Sequence, residues 1–160
     1  MTRVQESPLA LKAAEHIEAA YSSVDVDEVV QTIERLGFRC TVGGALIGIS
    51  GASHKFDIVC KGVTTRVTIE FLQNRDEQAS EIALVSSRAK FYDCAPDLGV
   101  VICLNEMNQA LKGLSTFYRL SMLEAHNTRE VCEKLTKLLE ENSLGINCPA
   151  LESTTSSDAI

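Results

Sequence analysis

Residues 56–72 read Phe-Asp-Ile-Val-Cys-Lys-Gly-Val-Thr-Thr-Arg-Val-Thr-Ile-Glu-Phe-Leu. Two runs rich in β-branched and aromatic residues, Phe56 to Cys60 and Thr64 to Leu72, flank Lys61-Gly62-Val63. That composition predicts a β-hairpin. With the reversal at Val63-Thr64, the numbers of paired residues sum to 127, which sets Asp57 opposite Glu70 on the adjacent strand. A slip of one residue would send one of these carboxylates to the other face of the sheet.

On the N-terminal side, Phe38, Cys40 and Val42 alternate with Arg39 and Thr41, the pattern of a half-buried strand. Glycines at 43, 44, 48 and 51 then imply a second strand or a bulged bend. Before them, Asp25 is a candidate N-cap with Glu28 as its capping-box partner. Val26, Val29, Val30, Ile33 and Leu36 follow at helical spacing, and Gly37 stops the helix. An earlier helix opens at Pro8, with Leu9, Leu11, Ala14, Ile17, Ala20 and Tyr21 on one stripe.

On the C-terminal side, Asn74 or Asp76 caps a helix running to about Tyr92, with Ile82, Val85 and Ala89 as inward candidates. The continuous apolar run Leu98 to Leu104 fits a central strand covered on both faces. A short helix over Asn108 to Gly113, a last strand over Phe117 to Leu123 and a helix over Thr128 to Glu141 complete the pattern. The last helix is capped by Asn127 or Thr128, with Val131, Leu135, Leu138 and Leu139 inward. The expected organisation is a flexible N-terminus over 1–7, one domain over 8–142 and a disordered Ser/Thr-rich tail over 143–160. The fold class is α/β, with a mixed sheet.

A chain of 160 residues, 45% hydrophobic, can bury one core. Its apolar runs fall well short of the ~20 residues of a membrane span, and no apolar block marks a secretory leader, so the expectation is cytoplasmic. Six widely spaced cysteines without a C-x-x-C pair read as reduced, mostly buried residues rather than a zinc site. A net charge of −7 weighs against nonspecific nucleic-acid binding, which needs cations to neutralise phosphates. A local basic patch around Arg66, Arg75, Arg88 and Lys90 is one alternative to an evenly charged surface. Neither a Ser-His-Asp arrangement nor a P-loop is legible.

The segment Gly48-Ile-Ser-Gly-Ala-Ser-His-Lys-Phe-Asp57, followed by Val67-Thr-Ile-Glu-Phe-Leu72, resembles the G-x-S-G-x-x-H-x-F-D region of the PD-(D/E)xK restriction-endonuclease-like superfamily, in its Mrr and Holliday-junction-resolvase-like branches. The likeness covers roughly residues 25 to 105. It implies a restriction-endonuclease-like mixed sheet with an antiparallel three-strand meander flanked by helices, DNA as substrate and a homodimer. It also implies that Asp57 and Glu70 bind Mg²⁺ as catalytic acids, with Glu34 as the acid often contributed by the preceding helix.

Within the segment, Ser50 and Gly51 are candidates to present backbone N–H groups to an anion, and His54 to contact a phosphate. A tight turn needing glycine and a structural histidine explain the same residues, and charges on an exposed hairpin would explain the two acids. The departure from the motif is Leu72, which stands where the superfamily carries lysine. Loss of such an electrostatic contact slows reactions by ~10²–10³. The resemblance therefore implies a DNA-binding nuclease-like domain with impaired catalysis and weak Mg²⁺ binding. Two alternatives stand beside it: an active Mg²⁺-dependent endonuclease drawing its lysine from Lys55, Lys61 or Lys90, and a non-catalytic protein-interaction or regulatory module.

Overall fold

The computed structural model describes residues 24–72 and 76–142. The expected helix over 8–21, the 1–7 end and the 143–160 tail lie outside the described residues. Helix α1 (Val26–Arg35) starts where the Asp25 carboxylate accepts the Glu28 N–H at 3.1 Å. Only that half of the capping box forms, because the Asp25 N–H donates to Thr128 Oγ1 at 2.9 Å instead. This ties the start of α1 to the start of the last helix. Gly37, at φ +95°, ends α1 in a turn that a side chain would strain.

After α1 come β1 (Arg39–Val42), β2 (Ala45–Ile47), β3 (Ser53–Lys55), β4 (Ile58–Lys61) and β5 (Arg66–Leu72). Helix α2 (Glu77–Cys94) leads to β6 (Leu98–Cys103), α3 (Gln109–Tyr118) to β7 (Ser121–Glu124), and α4 (Thr128–Glu141) closes the order. Five of the strands form one sheet in the spatial order β1-β4-β5-β6-β7. Its first two pairings are antiparallel and its last two parallel. Between β1 and β4 the chain leaves this sheet to make a separate hairpin, β2 with β3, so the three antiparallel strands are not consecutive in sequence. The β4–β5 register pairs Ile58 with Ile69, Val59 with Thr68 and Cys60 with Val67, the sum of 127 read from the turn.

Parity along the strands assigns the two faces. Ile58, Cys60, Val67, Ile69, Val100 and Ile102 pack under α1 and α4, against Val29, Ile33, Val131, Leu135 and Leu139. Val59, Leu72, Val101 and Cys103 face the other way, under α2 and α3, against Leu84, Phe91 and Leu111. Double coverage is why β6 is an unbroken apolar run. Among the described residues, no helix is long and apolar enough to cross a membrane.

Three expectations are corrected. Helix α2 does not bury Ile82, Val85 and Ala89; all three are exposed, and its inner stripe is Ser80, Leu84, Ser87, Phe91 and Cys94. The facing is set by Phe91, which lies on Gly99 so closely that a Cβ there would sit 2.7 Å from the ring, and which stacks on Phe56 at 6.1 Å. Helix α3 does not stop at Gly113 but runs to Tyr118, where Arg119 takes the left-handed conformation (φ 54°), so β7 begins only at Ser121. Finally, Cys40 and Cys60 are directly paired across β1 and β4 as a disulfide, with Cα atoms 4.1 Å apart, not held as separate thiols. Cys94 and Cys103 remain thiols, and burial pushes both above the ordinary cysteine range.

Candidate functional site

Glu70 projects from β5 on the α2 face and meets two side chains of that helix. Lys90 Nζ donates to Glu70 Oε1 at 2.5 Å, and the Ser87 hydroxyl donates to Oε2. The Glu70 side chain is 12% exposed and that of Lys90 27%, so the ion pair is partly desolvated. Lys90 is held from two further directions, donating to the Lys55 carbonyl at 2.9 Å and lying 5.5 Å above the Phe56 ring.

Asp57 lies at a bend one step before β4, so the β4–β5 register carried one residue further sets its backbone opposite Glu70. Its Oδ2 accepts the Phe71 N–H at 2.8 Å, where β5 runs on past the end of β4. The two acids therefore face each other in backbone register, with the Asp57 carboxylate turned to the β5 backbone and that of Glu70 to α2. Leu72, where the resemblance would expect lysine, is buried with Leu84 and Phe91 beneath α2. A lysine there would bury its ammonium in an apolar cluster, whereas Lys90 reaches Glu70 from above.

Glu34 does not join this pair. It rides on α1, which packs on the opposite face, and its Oε1 accepts the Cys40 N–H at 3.3 Å. Among the described residues no group of three or more His, Cys, Asp or Glu side chains is placed to hold a metal ion. The carboxylate donors of the site are Asp57 and Glu70.

Ser50, Gly51 and His54 form a clasp around a residue that sequence reasoning misses, Asp93 near the end of α2. Ser50 donates to it from its N–H (2.8 Å, to Oδ1) and its hydroxyl (2.6 Å, to Oδ2), and His54 Nε2 lies 2.6 Å from Oδ2. The Ser50 hydroxyl, the Ser50 N–H and then His54 hold the Asp93 carboxyl down at about 2. Asp93 stands between serine and histidine, so the Ser50 hydroxyl is not relayed to the imidazole, and a nucleophilic serine is not what this geometry builds. Gly51, at φ +85°, turns the loop, and its N–H goes to the Gly48 carbonyl at 3.0 Å rather than outward. Gly48 allows the carboxylate in: a Cβ there would lie 1.9 Å from Asp93 Oδ2. The motif glycines, serine and histidine therefore fasten the β2–β3 hairpin onto α2, beside Lys90.

Of the three lysines considered on sequence grounds, Lys90 contacts Glu70. A signal for it lies in the spacing of Ser87, Lys90 and Asp93, a polar row at i, i+3 and i+6 along one flank of a helix.

No protein-family model matches the chain, and no curated protein matches it in sequence. Among solved structures it is similar to the protein of unknown function AF1548, at 13% identity and a TM-score of 0.50, over 68% of this chain and 63% of that one. It is also similar to protein VC1899 from Vibrio cholerae, at 9% identity and a TM-score of 0.55, over 71% of this chain and 33% of that one. The chain spans less than two thirds of either structure, and at these identities the likeness is one of fold alone.

Proposed function

We propose that this chain is a restriction-endonuclease-like domain of the PD-(D/E)xK type that hydrolyses DNA, with Lys90 of α2 in the role that Leu72 leaves vacant on β5. The observation that supports this reading above an impaired one is the Lys90–Glu70 contact at 2.5 Å. Impairment rests on a missing cation, and the Lys90 ammonium at Glu70 supports a replacement for it.

The donor set suits Mg²⁺, which takes one or two protein carboxylates and fills its remaining positions with water and substrate phosphate oxygens. Asp57 and Glu70 would hold it. When bound, it supplies Lewis-acid activation of water and of the phosphate. Lys90, beside Glu70, places a positive charge where the attacking water and the phosphoryl oxygens would gather. Ser87 fixes the second Glu70 oxygen and so the direction of the carboxylate. Because Lys90 and Ser87 already engage Glu70, metal binding alone is weak and strengthens when substrate phosphate completes the site. Homodimerisation, which the resolvase-like resemblance implies, would set two such sites on a symmetric substrate.

The test is incubation of purified protein with Mg²⁺ or Mn²⁺ and plasmid, linear or branched DNA. Cleavage is expected, falling by ~10²-fold or more in Asp57→Asn and in Lys90→Met. A wild-type protein inert on every substrate overturns the reading. In that event, retained DNA binding returns the impaired domain, and failure to bind DNA at low salt favours the protein-interaction module.

A further inference from the structure

The α2 face of the sheet carries a second charged feature, at the end of β4 away from Asp57. The registers pair Arg39 with Lys61 and Lys61 with Arg66, so three cations stand side by side on three adjacent strands. Cross-strand partners point to the same face. Their neighbours Cys40, Cys60 and Val67 pack toward α1 and α4, which puts the row on the Asp57–Glu70 side. Strands ~4.8 Å apart spread the three charges over ~10 Å. Four residues of strand, ~13 Å, separate the row from the acidic pair.

Like charges directly opposite one another destabilise a sheet. Three cations elsewhere are paired with acids, Lys112 with Glu124, Arg129 with Glu133 and Lys137 with Glu141, whereas exposed Arg35, Lys55 and Arg119 stand singly without an ion pair among the described residues. Arg39, Lys61 and Arg66 have no ion pair among the described residues. The nearby carboxylates are engaged with backbone: Asp97 Oδ2 accepts the Arg66 N–H at 2.7 Å, and Glu34, on the other face, accepts the Cys40 N–H. Arg39 and Lys61 are exposed. Arg66 is anchored by its guanidinium to the Cys94 carbonyl at 3.0 Å, while its buried Nε has no hydrogen-bond partner among the described residues. The arrangement is a repulsive row that lacks a counter-charge within the described structure.

We infer that Arg39, Lys61 and Arg66 form a docking strip for the phosphodiester backbone of DNA. The choice of DNA as the polyanion rests on the function proposed above; the strip itself rests on the strand register. A strand carrying one phosphate per ~3.4 Å of duplex axis presents two or three phosphates to it. The strip also differs from the basic patch expected around Arg66, Arg75, Arg88 and Lys90: Lys90 is consumed by Glu70, and Arg88 lies over Tyr92 at 5.4 Å.

The experiment is fluorescence anisotropy of a labelled DNA duplex in EDTA, so that nothing is cleaved, across a series of NaCl concentrations. Arg39→Ala/Lys61→Ala is compared with Arg129→Ala/Lys137→Ala, which removes the same net charge from α4 on the opposite face. Arg39→Gln/Lys61→Gln keeps the side-chain bulk, and circular dichroism confirms that each variant is folded. The strip variants should lose at least ~10-fold in affinity, with a log–log salt slope shallower by about 1.8, two contacts at ~0.9 each. The α4 variant should keep the wild-type slope. Equal losses in both sets, an unchanged strip variant, or a wild-type protein that does not bind DNA at low salt overturns the strip. Strip-dependent binding without cleavage in Mg²⁺ or Mn²⁺ removes the catalytic reading and leaves the strip, whereas cleavage indifferent to Arg39→Gln/Lys61→Gln does the reverse.

Discussion

Replacing Lys90 by Met should destabilise the fold by about 2–3 kcal/mol, and replacing Glu70 by Gln at the same time should recover most of that loss. At 2.5 Å the pair's attraction is ~2 kcal/mol in water and ~7 kcal/mol at an effective dielectric of 20. Desolvation offsets part of it, more for Glu70 than for Lys90, whose side chain keeps about a quarter of its surface in water. Removing the ammonium alone leaves the carboxylate, among the described residues, with Ser87 as its remaining partner. The loss falls below the ~3–5 kcal/mol of fully buried pairs because Glu70 retains a path to solvent. In the double variant the amide that replaces the Glu70 carboxylate carries no charge, and its oxygen can still accept from Ser87. The expected coupling energy is about 2 kcal/mol, measured by urea unfolding of the four proteins near neutral pH. A coupling below about 0.5 kcal/mol would mean that the two groups do not meet in solution, and the assignment of Lys90 as the displaced lysine would fall with it.

The 20-residue separation of Cys40 and Cys60 corresponds to about 3 kcal/mol of loop-closure entropy, so dithiothreitol should lower the urea midpoint of the wild type but not of Cys40→Ala/Cys60→Ala; identical responses sink the pairing. The Asp93 carboxyl is held at about 2 against an ordinary 3.8, so its stabilisation is complete above about pH 4 and is lost as pH falls toward 2. Melting profiles across that range should converge for wild type and Asp93→Asn, and profiles that stay parallel contradict the clasp. Gly48→Ala should cost about 1–3 kcal/mol in melting experiments, because its methyl group would overlap the Asp93 carboxylate, 1.9 Å from Oδ2; a neutral substitution shows that the loop is not seated.

The hairpin register over Ile58 to Lys61 is legible in the sequence because two β-prone runs meet at a single short turn. The limits of α4 are legible too, since Asn127 caps a helix with one clean apolar stripe. Helix α2 misleads for a physical reason: its apolar residues Ile82 and Val85 face water while Ser80 and Ser87 face inward, so hydrophobic periodicity points the wrong way. What orients that helix is the contact of Phe91 with Gly99 across two different elements, and local spacing carries no trace of it. Gly113 reads as a stop, although a glycine is tolerated within a helix at modest cost and the terminating conformation belongs to Arg119. Lys90 and Asp93 are hidden because each acquires its role from partners 20 or more residues distant.

The outermost strands of the main sheet, β1 and β7, have four residues each, against seven and six for β5 and β6. Among the described residues each rim thus offers a foreign strand only a brief run of edge amides, and charged Arg39 and Glu124 stand at these margins. Lateral recruitment of a second polypeptide by sheet extension is disfavoured on both sides. Self-association, where it occurs, must then use side-chain surfaces of helices or of the detached hairpin, and its strength will be set by packing instead of by backbone ladders.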